Sequence, residues 1–171
     1  MKTLWTILLL SAITGLISGC QYTPLEMNIS PTAEMRANPA GMPTIKVDVV
    51  GLPAERVDQL RDADGRSWFA GSGDLSELRK QLMNQGLIKT FEFSQNAREA
   101  QILLRTDPLW STFEKKRIGT VMIIADPPIA ASNLSLWRQF IPVHKDTWVD
   151  DKVRITIGQG LYAETRVHAS N

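Results

Sequence analysis

The chain has a single cysteine, Cys20, and only two histidines, His144 and His168. One thiol allows no internal disulfide, so stability in an oxidising compartment has to come from packing. Metal centres built from Cys and His, and nucleophilic sites built on a thiol or a base-paired hydroxyl, lack most of their parts. No Walker loop, HExxH or GxSxG is present. Charge of one sign is also missing, with 19 Lys and Arg against 18 Asp and Glu. That balance argues against nucleic acid as a partner, since phosphate binding leaves a basic footprint. Nor is there an apolar run of the roughly 20 residues that a membrane-spanning helix requires. The longest, Leu4 to Ile13, stops at Thr14-Gly15.

What is present at the start is a secretory signal. Lys2 supplies the positive end, Leu4 to Ile13 the short apolar core, and Leu16-Ile17-Ser18-Gly19-Cys20 reads as a lipobox. The Cys20 thiol accepts diacylglycerol, and Gly19 leaves a peptidase room to cut on the N-terminal side of that cysteine. An unpaired cysteine in an exported chain needs an explanation, and acylation supplies one. Two or more acyl chains, at about 0.8 kcal/mol per buried methylene, hold a protein at a bilayer stably. Gln21 follows the cysteine where an Asp would retain a lipoprotein at the inner membrane. By resemblance to diderm sorting signals, this implies the outer membrane, with the domain on its periplasmic face.

The expected organisation is a signal over 1–19, a lipidated tether over 20–24 and one domain over 25–171. Without Lys2 the remaining cations match the acids, so the domain is neutral. Leu25, Met27 and Ile29 alternate with polar positions as a half-buried strand does. Thr32 to Pro43, with Asn38, Pro39, Gly41 and Pro43, has no period and reads as a long loop, a length that tends to be functional. Ile45 to Val50 is the clearest strand, with Lys46 and Asp48 expected on its polar side. Ala54 to Arg61 predicts a short helix, and Asp62 to Gly65 a turn. A second helix is expected from Asp74, as N-cap, to a stop at Gly86. Further strands are expected at Ile88 to Phe93, Gln101 to Arg105, Ile118 to Ala125, Leu134 to Val143, Lys152 to Ile157 and Leu161 to Val167. This pattern predicts an all-β, two-sheet, transthyretin-like β-sandwich with a small helical insert between its second and third strands.

Carboxylates offer the remaining route to chemistry. Asp107, Asp126 and the Asp150-Asp151 pair could in principle assemble as in two-carboxylate glycosidases. Their sequence settings, Asp107-Pro108, Asp126-Pro127-Pro128 and a polar hairpin tip, read instead as turns. His144 and His168 read as surface residues. Trp68, Phe69, Trp110, Phe113, Trp137, Phe140 and Trp148 are expected in the core more than along a groove. No catalytic residue, cofactor or metal is expected.

One arrangement resembles a known family. Asn38-Pro39, Gly41 and Pro43 lead into Ile45-Lys46-Val47-Asp48-Val49-Val50-Gly51-Leu52. Later come Gly119 to Asp126 and then Leu136-Trp137-Arg138 before Ile141-Pro142-Val143. In order and separation these are similar to the outer-membrane lipoprotein of the type VI secretion machine, the TssJ or SciN type. The resemblance implies a non-enzymatic sandwich that ties the periplasmic part of an inner-membrane secretion protein to the outer membrane. It also implies a partner contact on the loop between the first two strands, here Met35, Arg36, Asn38, Pro39 and Met42. A pilotin or assembly lipoprotein of another secretion or pilus system, and a ligand-binding envelope lipoprotein, are the alternative readings of the same features.

Overall fold

Period-two alternation sorts the strands onto two sheets whose apolar faces meet. In this computed structural model, residues 22–129, 131–144 and 147–164 are described. The signal, Gly19, Cys20, Gln21 and His168 lie outside the described residues. Eight strands are found among the described residues: β1 (Glu26–Pro31), β2 (Ile45–Leu52), β3 (Ile88–Phe93), β4 (Gln101–Leu103), β5 (Thr120–Ala125), β6 (Arg138–Pro142), β7 (Lys152–Ile157) and β8 (Leu161–Glu164). They form two four-stranded sheets, β4-β1-β7-β8 and β3-β2-β5-β6.

In the first sheet β1 runs parallel to β7, with Met27 opposite Val153 and Ile29 opposite Ile155, and antiparallel to β4, with Met27 opposite Leu103. All five side chains are buried. In the second sheet the register stacks Val47 with Phe91 and Ala125, and Val49 with Ile123. These residues face the first sheet and make a two-layer sandwich. β5 is apolar on both faces because both faces of its sheet are covered.

Five helices are described: α1 (Ala33–Arg36), α2 (Ala54–Val57), α3 (Gly65–Phe69), α4 (Asp74–Asn84) and α5 (Pro108–Lys115). The insert between β2 and β3 thus holds three helices, not two. The expected turn at Asp62 to Gly65 instead leads into α3, whose first N–H groups are capped when the Asp64 carboxylate accepts from Ser67 N at 2.9 Å. The N-cap of α4 is Gly73; Asp74 is its first helical residue, where its charge favours the positive end of the helix dipole. Residues Leu134–Trp137 form a 3-10 turn ahead of β6, so the extended stretch expected there starts four residues later.

Asp107-Pro108 is a helix start rather than a plain turn. The Asp107 carboxylate accepts from Leu109 N at 3.0 Å and Pro108 stands in the first turn, where its missing N–H is harmless. Leu109, Trp110 and Phe113 of α5 are buried at one end of the sandwich. Asp150-Asp151 is likewise not a hairpin tip. It lies on a crossing between β6 and β7, which belong to different sheets. Trp68, Trp110, Phe113, Trp137 and Trp148 are all in the core.

The outer face of the second sheet carries the insert. Gly65 permits the close approach of α3 to β5, since a Cβ there would lie 2.0 Å from the Ala125 carbonyl oxygen. Asp48, expected on the polar side of β2, is instead fully buried under these helices. Its carboxylate accepts from Trp68 Nε1 at 2.8 Å, Arg79 Nε at 2.7 Å and Thr90 Oγ1 at 2.6 Å. Arg79 also lies over the Phe69 ring, 4.7 Å from its centroid. A buried carboxylate is tolerable only with its cation and hydrogen bonds in place, and here they are.

Candidate functional site

The register gives the sandwich two distinct ends. At the proximal end lie Tyr22 and Leu25, α5, the start of β5 and the crossing into β7. An isolated bridge joins Tyr22 to His144 there, and the Tyr22 ring packs on Trp110 at 6.3 Å. Burial, then the nearby Glu114 charge, pushes the Tyr22 phenol well above its ordinary value. At the distal end lie the segments 32–44, 94–100, 126–129, 131–133 and 158–160. β1 alone separates the two, and six residues of strand span roughly 20 Å.

The distal segment 32–44 is the loop singled out in the sequence, and it is pinned along its length. Thr32 N donates to Ile157 O at 2.8 Å, and Thr32 Oγ1 caps α1 by accepting from Met35 N at 3.2 Å. The Asn38 carboxamide oxygen accepts from Ala40 N at 3.0 Å, and Asn38 O from Gly41 N at 2.9 Å. Gly41, at φ 86, turns the chain inward, and Met42 N then donates to Gln95 Oε1 at 3.0 Å. The outcome is an ordered rim with Ala37, Asn38, Pro39 and Ala40 exposed.

The five loop residues expected to share a contact do not share a surface. Asn38 and Pro39 are exposed, and Met35 and Arg36 are half-buried. Met42 is 6% exposed and belongs to the core, so it holds the loop instead of presenting itself. No residue pattern announced this, because the inward turn depends on Gln95, which is distant in sequence.

A second distal feature was missed. Arg66, from α3, gathers the carbonyls of Ile129 at 2.6 Å, Ala131 at 3.2 Å and Pro128 at 3.3 Å. The clamped segment presents Ile129, which is 96% exposed. Asp126, at its base, has its carboxyl raised above the ordinary value by burial, partly offset by Lys46, Arg66 and Arg79. A single exposed isoleucine is common on protein surfaces and does not by itself mark a contact.

Asp126 is kept apart from the other acids considered for chemistry. Asp107 caps α5 at the proximal end and pairs with Lys89, whereas Asp126 follows β5 at the distal end. Burial opposes the Asp107 charge, but Lys89 and the Leu109 N–H outweigh it and hold the carboxyl below its ordinary value. Arg105 binds Asp151 at 3.2 Å and the Asp150 carbonyl. His144 is exposed. Among the described residues no group of three or more His, Cys, Asp or Glu is placed to hold a metal ion, and no helix is long and apolar enough to cross a membrane.

No protein-family model and no curated protein matches the chain. Solved structures do. The type VI secretion lipoprotein TssJ1 from Pseudomonas aeruginosa is similar over 87% of this chain and 100% of its own, at 14% identity and a TM-score of 0.51. A structure described as a type VI membrane complex is similar over 85% of this chain and 99% of its own, at 14% identity and a TM-score of 0.52. The likeness is one of fold, and the sandwich expected from the sequence is the one these structures share.

Proposed function

We propose that this chain is a non-enzymatic lipoprotein of the TssJ type, acylated at Cys20 and held at the outer membrane. There it anchors the periplasmic part of an inner-membrane secretion component. The observation that carries the reading is the placement of the 32–44 rim. It lies at the opposite end of β1 from Tyr22, so a lipid on Cys20 turns Asn38 and Pro39 away from the bilayer and toward a partner across the periplasm. The fold shared with TssJ1 supports the same role.

The division of labour follows from position. Cys20 is the anchor and β1 the spacer. Arg36, Asn38 and Pro39 form the partner rim, with Met35 supporting it and Ile129 beside it as an apolar knob. Confinement to one membrane raises the effective concentration of any partner that reaches across, so a modest contact suffices. An ordered rim also loses little entropy on docking.

The test is capture of the acylated protein from envelopes, side by side with a variant carrying Arg36→Ala, Asn38→Ala and Pro39→Ala. Recovery of one inner-membrane protein with a large periplasmic domain, lost in the variant, supports both tether and site. Recovery of that protein by both forms removes the rim from the reading. Failure of the native protein to recover it sinks the tether itself.

A further inference from the structure

The turn from α5 into β5 places three consecutive cations, Lys115, Lys116 and Arg117, on the proximal end, all exposed. Among the described residues none of the three forms a salt bridge. Neighbouring cations are engaged: Lys89 with Asp107, Arg105 with Asp151 and Lys152 with Glu26. Among the described residues Glu114 and Asp150 are the exposed acids nearby, two against three cations, so the described part of this end keeps a positive excess.

The turn is held in place. Arg117 N donates to Glu114 O at 3.0 Å, and Ile118 N to Phe113 O at 2.9 Å, with Ile118 buried behind it. Arg117 sits at φ 54, a helix-ending position where glycine is the usual occupant. Two large apolar side chains emerge at the same end. Met83, in the last turn of α4, is 42% exposed, and Leu104, whose carbonyl accepts from Trp110 Nε1 at 2.9 Å, is 54% exposed. Cations on long stems beside exposed apolar groups are what a bilayer interface accommodates.

We infer that the proximal end rests on anionic phospholipid headgroups of the membrane that carries the anchor, with Lys115, Lys116 and Arg117 as the contacts. The inference depends on acylation of Cys20, which puts the bilayer just before Tyr22. The contact fixes how the domain stands: proximal end down, rim up. An acyl chain alone would leave it free to tumble on its tether.

The experiment uses the full acylated chain on vesicles of phosphatidylcholine, with or without phosphatidylglycerol, and reads amine acylation of each lysine by mass spectrometry. Lys80, exposed on α4, is the internal reference. On phosphatidylglycerol vesicles Lys115 and Lys116 should react about tenfold more slowly relative to Lys80, and the protection should vanish at high salt. In a K116Q/R117Q variant Lys115 should regain its reactivity. Equal rates on both vesicle types, with the chain bound to both, overturn the headgroup contact and leave acylation standing. Failure of the chain to float with either vesicle defeats the acylation reading and this inference with it.

Discussion

The two sheets of the sandwich treat their outer faces in opposite ways. That of β3-β2-β5-β6 is roofed by the helical insert and hides a carboxylate; that of β4-β1-β7-β8 is bare among the described residues, with Lys152, Arg154 and Glu164 exposed. Under the roof the Asp48 carboxylate is desolvated and matched by the Arg79 cation and by hydrogen bonds from Trp68 and Thr90. On the bare face Arg154 meets Glu164 at 3.6 Å with both side chains largely in water. The same interaction type therefore has different energetic weight on either side of one small domain. Desolvation, not distance, decides it.

The widest gap between the faces should come from Arg79→Ala. Removing the cation leaves Asp48 charged and buried, and urea unfolding should show a loss of about 3 kcal/mol. A loss below about 1 kcal/mol would mean that water reaches Asp48, and the contrast would collapse. Gly65→Ala probes the roof by shape, because its Cβ would meet the Ala125 carbonyl oxygen at 2.0 Å and the Pro127 ring at 2.8 Å. It should lose about 2 kcal/mol in the same assay, by overpacking.

Asp107→Asn comes next, with a loss of about 1 kcal/mol from the missing Lys89 pair and the lost negative charge at the start of α5. Its pH dependence has a definite sign. The Asp107 carboxyl is held below its ordinary value, so its contribution is complete above the unfolded value of about 4 and fades as pH falls through the lower folded value. Stability measured down that acid limb should fall less steeply in the variant. Arg154→Ala, on the bare face, should change stability by about 0.5 kcal/mol or less. A larger loss would mean that the bare face is more structured than its exposure suggests.

The strands were legible because they follow period two. Met27 and Ile29, or Val153 and Ile155, mark their inner face without outside help. Asp48 was not legible in the same way, since alternation gives Lys46 and Asp48 the same side of β2, and only one of them lies under the insert. The residue that separates them, Arg79, is 31 positions away from Asp48. α5 did carry a signal, an Asp followed by Pro and then Leu109, Trp110 and Phe113, which is a capped helix start with apolar positions on one face. Reading Asp107-Pro108 as a turn used only half of that pattern.

At the distal rim the turn residues were legible in the sequence, but the side each residue faces was not. Asn38 and Pro39 emerged where turn residues are expected to emerge. Met42 went inward because Gly41 reverses the chain and Gln95 receives its N–H, a long-range event with no local trace. Ile129 was invisible for the related reason that Arg66, which fixes its backbone, belongs to a different helix.

β1 lies inside its sheet, flanked by β4 on one side and β7 on the other, with the tether at one end and the rim at the other. A pull between a lipid on Cys20 and a partner on Asn38 would therefore run lengthwise along a single strand. A strand pulled at both of its own ends is already extended, so its covalent backbone carries the tension and the flanking ladders are not sheared. The rest of the sandwich need not bear it, and the helical roof is spared altogether. Mechanically the domain is a short strap with a folded body around it, and the strap is covalent.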